Sequence, residues 1–308
     1  MSTRSSQSGV AVLMAMLVVT IGTIIAVNLL WRETLDLRRT QSALDADQGL
    51  MFMQGAEAWA ADILRQDQVD SPSSDNLSEP WATQLPPLPV DGGTIVGKLE
   101  DLQGRFNLNN LIKPDGTDNP LAVTQFERLL ILLQIDPALA GAVSDWLDPD
   151  SNLRFPTGGE DVTYAGADPP YRAANSMITS PSELMAVTGF NREIYGKLAP
   201  YVTALPIGTK LNVNTAQAIV LASLSDNIDI STAEGLVEQR NDGAFVDIDK
   251  TFEKLVDPKV LREIDGVSQH FLLTATVTLG TNQLTMRAVL QRDASGVTRA
   301  LFRSLGVE

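Results

Sequence analysis

The chain has no cysteine and a single histidine, His270, among its 308 residues. The missing cysteine excludes disulfide bonds and thiolate metal sites, and the lone histidine argues against a Ser-His-Asp triad or a multi-histidine metal site. Basic residues are also few: 23 Lys and Arg stand against 38 Asp and Glu, for a net charge of −15. A surface of this sign repels the phosphates of nucleic acids and suits divalent cations or basic protein surfaces.

Charge is absent altogether from the 22 residues between Val10 and Trp31, and most of them are apolar. This length is enough to cross a bilayer as one helix. The far side lacks the small-x-small cleavage site of a secretory signal, whereas a Gly9-Val10 junction lies on the near side. The composition leaves two interpretations open: an uncleaved signal anchor, or a leader that is removed by a cut after Gly9.

Basic residues flank this apolar stretch unevenly. Arg4 precedes it, and Arg32, Arg38 and Arg39 follow it. The positive-inside rule, applied to this count alone, would place the body of the protein in the cytoplasm.

The apolar pattern stays helical beyond Arg32. Apolar residues recur at intervals of three or four on one face, at Ala46, Leu50, Met53, Ala56, Ala60, Ile63 and Leu64. No proline interrupts the chain before Pro72, so the sequence predicts one long helix from about Val10 to about Gln66. Its second half is amphipathic and is expected to pack on a soluble domain.

The rest of the chain alternates between β and helical patterns. A proline-rich linker, 71–93, leads into a predicted strand at Thr94–Leu108. Near the C-terminus, alternating apolar residues predict strands at 273–279, 284–290 and 297–305, joined by turns into an antiparallel meander. The pattern of the roughly 160 residues between these strands predicts helices and loops. The predicted fold class is α+β: a long N-terminal helix packed on an antiparallel sheet, with a large inserted all-helical region.

Five acidic residues fall within 17 positions of the inserted region, opposed only by Arg154. They are Asp145, Asp148, Asp150, Glu160 and Asp161. Oxygen ligands at irregular spacing suit Ca²⁺, but the loop is not an EF-hand, because Leu153 takes the position where an EF-hand has glycine. The residues alone leave a calcium site and a solvated acidic loop both open.

Several motifs along the chain, taken together, resemble one family. They are the leader with Gly9 and the apolar run after it, DLQGRFNLNNL (101–111), DWLDPD (145–150) followed by GGED (158–161), PPYRAANSMITSPSELMAV (169–187) and LNVNTA (211–216). In this combination, which spans the whole length, the chain resembles a type II secretion system minor pseudopilin of the K type (general secretion pathway protein K). Any one motif alone would not be specific.

The resemblance implies a pseudopilin fold and a division of the chain into segments. Residues 1–9 are the expected prepilin leader, 10–31 the transmembrane helix and 32–70 its amphipathic continuation. A linker and the first strands of the pseudopilin sheet are expected at 71–110, and the C-terminal strands that complete the sheet at 268–308. Between them lie a helical domain with the acidic loop, 111–207, and a second, helix-hairpin-helix-like domain, 208–267.

The resemblance also implies a cut between Gly9 and Val10 by a prepilin peptidase, although Val10 departs from the Met or Phe that is usual after the cut. The leader would lie in the cytoplasm and the body in the periplasm, with one inner-membrane pass, against the arginine count. Most pseudopilins carry Glu at the fifth mature position, where a carboxylate in an apolar segment is costly unless paired. Here that position is Met14, and K-type proteins characteristically lack the Glu. Met14 therefore marks an expected tip subunit.

For function, the resemblance implies a minor pseudopilin that forms the tip of the periplasmic pseudopilus and helps initiate its assembly, for export of folded proteins across the outer membrane. The implied partners are the I- and J-type minor pseudopilins, the major pseudopilin filament, the prepilin peptidase and inner-membrane lipid, with no nucleic acid. A structural calcium ion is also implied. Its expected ligands are Asp148, Asp150, Glu160 and Asp161, with Asp145 and Asn175 as further candidates.

Three other function classes compete with this one. LNVNTAQAIVLASL with FVDIDKTFEKL resembles the helix-hairpin-helix proteins of DNA uptake, but the hairpin at 225–229 is acidic and lacks the glycine that brings backbone amides to phosphate. Asp148 and Asp150 could do acid-base chemistry in a membrane-anchored enzyme, yet no nucleophile lies near a base in an identifiable motif, so no enzymatic activity is expected. A minor pilin of a type IV pilus is closer, but the helical insertion and the missing Glu favour the secretion system.

Overall fold

The structure is a computed structural model that describes residues 8–84 and 86–306. Its α-helices are α1 (Ser8–Asp70), α2 (Pro120–Leu132), α3 (Leu139–Leu147), α4 (Asp161–Tyr164), α5 (Arg192–Leu198), α6 (Ala218–Ser223), α7 (Ile230–Asp242), α8 (Ile248–Phe252) and α9 (Pro258–Leu261). Its strands are β1 (Leu88–Val90), β2 (Gly93–Asp101), β3 (Phe106–Asn107), β4 (Val202–Thr203), β5 (Leu211–Asn212), β6 (Ile264–Asp265), β7 (His270–Leu279), β8 (Asn282–Arg292) and β9 (Thr298–Gly306). Short 3₁₀ helices lie at Pro80–Ala82, Leu108–Leu111, Pro181–Ala186 and Ala199–Tyr201.

Helix α1 confirms the predicted long helix and extends it by a few residues at either end. Within the described ranges it is the one helix long and apolar enough to cross a membrane. Hydroxyl groups in its apolar half donate to carbonyl oxygens one turn earlier: Thr20 Oγ1 donates to the Met16 oxygen at 2.7 Å, and Thr23 Oγ1 donates to the Val19 oxygen at 2.9 Å. These contacts give the hydroxyl groups hydrogen-bond partners, which the lipid chains could not provide. Of the predicted leader, residues 1–7 lie outside the described residues.

A five-stranded antiparallel sheet in the order β1-β2-β7-β8-β9 packs on the second half of α1. One face of α1, with Met53, Ala60 and Leu64, is buried against the inward residues of the sheet. These inward residues are Leu99, Phe271, Leu273, Ala275, Val277, Leu279, Met286, Ala288 and Leu290. The predicted C-terminal meander is confirmed, and so is the α+β class with a helix packed on an antiparallel sheet.

The predicted strand at Thr94–Leu108 is wrong in its second half. β2 ends at Asp101, whose carboxylate accepts a hydrogen bond from the backbone nitrogen of Gln103 at 2.7 Å and turns the chain away from the sheet. The chain resumes as β3, which pairs in parallel with β4. Phe106 and Leu108 therefore belong to the core of the inserted region and not to the face of the sheet.

The region inserted between β2 and β7 has two hydrophobic cores of its own. One is built around α2 and α3, and the other around α6, α7 and α8. The region is helical, as predicted, apart from two parallel ladders of two residues per strand, β3–β4 and β5–β6. Each ladder joins the first and the last residues of one helical unit, so each unit closes on itself before the chain returns to the sheet.

Candidate metal centre

The acidic loop begins where α3 ends. Helix α3 is buried along its length, and Asp145 on it is fully enclosed. The helix stops at Leu147 because Pro149 disfavours a helical conformation at Asp148, which adopts an extended backbone. The carboxylate of Asp148, only 1% exposed, is thereby held at the end of a rigid helix.

Three carboxylates from the two ends of this loop converge. Oxygen atoms of Asp148, Asp150 and Glu160 lie within 4.8 Å of one another. Asp148 and Glu160 are buried, whereas Asp150 is exposed and leaves the group open to solvent on one side. The sequence predicted all three as ligands, and the structure brings them together.

Arg154 neutralises part of this charge from inside the loop. Its Nη1 donates to both Asp145 and Asp148, and its Nη2 donates to Asp118. The backbone nitrogen of Arg154 donates to the second oxygen of Asp145 at 3.1 Å. Both oxygens of Asp145 thus accept hydrogen bonds from Arg154. Asp145 thereby fixes the position of Arg154, and with it the loop, relative to α3.

Several buried oxygen atoms in the group have no hydrogen-bond partner among the described residues. They are Oδ1 of Asp148, both carboxylate oxygens of Glu160 and Oδ1 of Asn175. Asn175 is held in place because its amide nitrogen donates to the Asp150 carbonyl at 3.1 Å. Buried polar atoms are normally paired, so the unpaired oxygens of Asp148 and Glu160, whose carboxylates converge, favour a ligand that supplies the missing contacts.

The raised pKa values of two carboxyl groups in the cluster also favour a bound cation. Burial, and then the neighbouring charges of Asp145, Asp148 and Asp150, raise the pKa of Glu160 to about 7. Burial also raises the pKa of Asp148, against the opposing effect of Arg154. Without a cation, carboxylates held this closely resist ionisation, because desolvation and like charge both penalise the anion.

Asp161 lies at the edge of the group. Its Oδ1 accepts a hydrogen bond from the backbone nitrogen of Ala173 at 3.1 Å, and its Oδ2 lies 3.9 Å from Nε of Arg172. The three-carboxylate group does not include it. Its side chain fixes the chain at Ala173, where the loop continues after α4. Its negative charge contributes to the raised pKa of Glu160.

Two glycines allow the loop to fold this tightly. A β-carbon at Gly158 would lie 2.2 Å from Oδ2 of Asp145 and 2.5 Å from the backbone nitrogen of Arg154. At Gly159 it would lie 2.7 Å from the hydroxyl of Tyr164. The GGED motif therefore places Glu160 by letting the backbone pass close to α3 and α4.

The donor set fits calcium. The converging atoms are carboxylate oxygens, and Ca²⁺ takes 6–8 oxygen ligands in a flexible geometry. Asp148, Asp150, Glu160 and Asn175 would hold the ion, and solvent at the open side would complete its shell. The ion would supply positive charge and cross-link the two ends of the loop, which is a structural role.

The sequence did not identify Asp118 as part of this site. Asp118 fixes the outer end of the Arg154 guanidinium, with Nε of Arg154 3.3 Å from its Oδ2. It lies 36 residues from Arg154 along the chain, in a turn before α2, so no local spacing signals the contact. His270 is buried, with Nδ1 3.1 Å from Oε1 of Gln103.

The predicted leader junction and tip marker lie in α1. The Gly9-Val10 bond is in the first turn of the helix, and Met14 is exposed on its apolar half. A cut at this bond stays a prediction.

Models of one family match the chain in two places. The family described as "Type II secretion system (T2SS), protein K" matches residues 104–207 and 211–256. Type II secretion system protein K of Pseudomonas aeruginosa is 34% identical over 318 residues, covering 98% of this chain and 94% of the relative. The protein of that name from Aeromonas hydrophila is 37% identical over 251 residues, covering 76% of each chain.

A solved structure extends this likeness to the fold. The crystal structure of the GspK-GspI-GspJ complex from the type 2 secretion system of enterotoxigenic Escherichia coli contains a chain that matches with a TM-score of 0.79 and 27% identity. The match covers 88% of this chain and 100% of that one. The chain described here therefore belongs to the type II secretion system protein K family, whose members are minor pseudopilins.

Proposed function

We propose that this chain forms the tip of the periplasmic pseudopilus and helps to initiate its assembly, with partners of the I and J types. The observation that carries the proposal is the likeness to GspK, which was crystallised together with GspI and GspJ. Met14 supports the tip position, because a subunit without a carboxylate there cannot pair with the amine of a subunit ahead of it.

The anchor in this proposal is the apolar half of α1. It crosses the inner membrane once, with residues 1–9 in the cytoplasm, where a prepilin peptidase removes them, and with the body in the periplasm. Three arginines after the span oppose this orientation by the positive-inside count. Processing on the cytoplasmic side requires the orientation nonetheless.

The outer face of α1 offers the surface for partner helices. Leu37, Leu44 and Met51 recur every seven residues and are 67%, 58% and 71% exposed. With 3.6 residues per turn, they form a stripe opposite the face that Met53, Ala60 and Leu64 bury against the sheet. This outer stripe continues the apolar surface of the span beyond the membrane, where a neighbouring pseudopilin helix would cover it.

The chain acts as a structural component of the secretion system and not as an enzyme or a DNA receptor. The acidic hairpin at 225–229 is fixed by Arg128, whose Nε and Nη2 donate to Asp226 at 2.7 and 2.6 Å. The hairpin packs on α2 through this ion pair and presents negative charge, which repels phosphate.

Co-assembly tests the proposal. The full-length chain is expressed with the I- and J-type pseudopilins of the same bacterium, extracted in detergent and purified through a tag on the J-type protein. The expected result is an equimolar complex of the three chains. A chain that elutes alone while the other two co-purify would contradict the proposal.

Calcium is part of the proposal as a structural ion. It should stabilise the folded chain by mass action, because the loop presents its oxygens together only when folded. We expect a higher melting temperature with Ca²⁺ than with excess chelator, and calcium in the purified protein by elemental analysis. The absence of both would contradict the calcium proposal and would indicate that the acidic loop is solvated.

A further inference from the structure

A second cluster of acidic side chains is buried far from the loop, where the inserted region meets the sheet and α1. We call it the acidic junction; it consists of Asp67, Asp75, Glu79, Asp101 and Arg292. Asp67 lies in the last turn of α1, Asp75 and Glu79 in the segment that follows, Asp101 at the end of β2 and Arg292 at the end of β8. Each of the five side chains is buried.

Arg292 is the centre of the junction. Its Nη1 donates to Oδ2 of Asp67 at 2.8 Å and to the Leu64 carbonyl at 3.0 Å. Its Nη2 donates to Oδ1 of Asp75 at 2.5 Å and to the Ser268 carbonyl at 3.0 Å. Carboxylates already surround the guanidinium, so a metal ion would have to displace it; the junction is an ion-pair network and not a second metal site.

The acidic junction also forms hydrogen bonds to the inserted region. Oδ2 of Asp101 accepts hydrogen bonds from Asn212 at 3.0 Å, Thr215 at 2.5 Å and Ser268 at 2.7 Å. The side-chain amide of Asn212 also donates to the Asp75 carbonyl at 2.9 Å. The junction therefore ties α1 and the sheet to β5 and to the chain that returns from the helical region.

The charges in the junction do not balance. The junction holds four carboxylates and one guanidinium, which pairs with Asp67 and Asp75, and oxygens of Asp67, Asp75 and Glu79 lie within 4.8 Å of one another. The charged groups that face Asp67 are Arg292 from β8 and Asp75 and Glu79 from the segment after α1. Carboxylates this close and this buried cannot all ionise without a large penalty, so the network accommodates a bound proton more readily than a full set of charges.

We propose that the acidic junction is a proton-dependent latch in which Asp67 carries a proton while the inserted region is held on α1 and the sheet. The protonated carboxyl of Asp67 keeps one oxygen as acceptor for Arg292 and can donate from the other to Asp75. Loss of the proton adds a negative charge beside Asp75 and Glu79 and loosens the attachment of the helical region to the filament-forming part of the chain.

The titration of the group agrees with this geometry. Burial, with smaller contributions from Glu79 and Asp75, raises the pKa of Asp67 from 3.8 to about 7, although Arg292 acts in the opposite direction. Burial likewise raises the pKa of Asp101 to about 6. A group whose pKa is higher in the folded chain stabilises it fully below the unfolded value. The stability that Asp67 contributes is therefore lost as the pH rises from about 4 to about 7.

Asp67→Asn tests the latch, because an amide imitates the protonated carboxyl: its oxygen accepts from Arg292 and its nitrogen donates to Asp75. Asp62→Asn is the matched control, since Asp62 is an exposed residue of the same helix that pairs with Arg65. The full-length chain in detergent, saturated with Ca²⁺, is melted at pH values between 5 and 8. The melting temperature of the wild-type chain and of D62N should fall as the pH rises to about 7, and that of D67N should fall clearly less.

Infrared spectroscopy gives a second readout that does not depend on melting. The wild-type chain at pH 6, saturated with Ca²⁺, should show the carbonyl stretch of buried protonated carboxyls, which weakens by pH 8. Asp101, with a pKa of about 6, contributes to this band, so the Asp67 component is the part that D67N loses at pH 6. An equal pH slope in D67N and the wild-type chain would overturn the proposal, and so would equal bands from the two chains at pH 6 or the absence of the band from the wild-type spectrum.

Discussion

At the residue scale, the two buried acidic clusters differ in what balances their charge. In the junction, Arg292 sits among the carboxylates and uses its donors on them. In the loop, Arg154 donates hydrogen bonds to Asp145 and to one oxygen of Asp148. The oxygens of Glu160 have no hydrogen-bond partner among the described residues. This difference is the reason that we propose a proton for the first cluster and a calcium ion for the second.

Calcium binding should depend on pH. Because the pKa of Glu160 is raised to about 7, the ion must displace a proton below that pH. We expect the apparent calcium affinity, measured by titration calorimetry, to increase from pH 6 to pH 8, and Glu160→Gln to weaken binding at pH 8 by at least about tenfold. Glu193→Gln is the control, since Glu193 is exposed and pairs with Lys197. An affinity that is unchanged by E160Q would contradict this ligand assignment.

Arg154 should matter for stability even without calcium. Arg154→Gln leaves the fully buried Asp145 without its charge partner, and breaking a buried pair from one side costs about 3–5 kcal/mol. Urea unfolding in chelator should show a loss of this order in the free energy of unfolding. Arg172→Gln changes an exposed arginine of the same loop and should stay within about 0.5 kcal/mol of the wild-type chain. Equal effects of the two substitutions would refute the anchoring role of Arg154.

At the scale of elements, α1 has two apolar faces with different tasks. The inner face, with Met53 and Leu64, forms the core with the sheet, and the outer stripe, with Leu44 and Met51, is exposed. The sequence predicted the helix and its inner face, because the 3.6-residue period is a local signal. It could not identify the outer stripe, since an exposed apolar residue is distinguished from a core residue only once the sheet has been placed.

The inner face predicts a stability effect. Leu64→Ala removes a fully buried side chain between α1 and the sheet and should lower the free energy of unfolding by about 2–5 kcal/mol. Met51→Ala removes a side chain of the same helix that is 71% exposed and should change it by less than about 0.5 kcal/mol. Chemical denaturation of the two variants in the same detergent checks the contrast.

The outer stripe predicts an assembly effect instead. Leu44→Asp puts a charge into the surface proposed for a partner helix, so co-purification with the I- and J-type pseudopilins should be lost while the melting temperature stays near that of the wild-type chain. Ser42→Asp, at an exposed position on the opposite side of the helix from the stripe, is the matched control and should leave the complex intact. Retention of the complex by L44D would show that the partners bind another surface.

At the scale of the whole molecule, the chain is a pseudopilin unit interrupted by two helical units. The sequence predicted the long helix, the C-terminal meander and the insertion from their periodicities. It misplaced the second half of the strand at Thr94–Leu108, because Phe106 continues the alternation of β2 although Asp101 has already turned the chain. It also missed Asp118 and the acidic junction, whose members come from distant parts of the chain and meet only in three dimensions.

The tip position proposed for this chain predicts where it lies on an isolated pseudopilus. Pseudopili isolated from a strain whose only copy of the chain carries a C-terminal tag can be labelled with gold-conjugated antibody and viewed by electron microscopy. We expect label at one end of each filament. Label distributed along the filaments would contradict the proposed tip position.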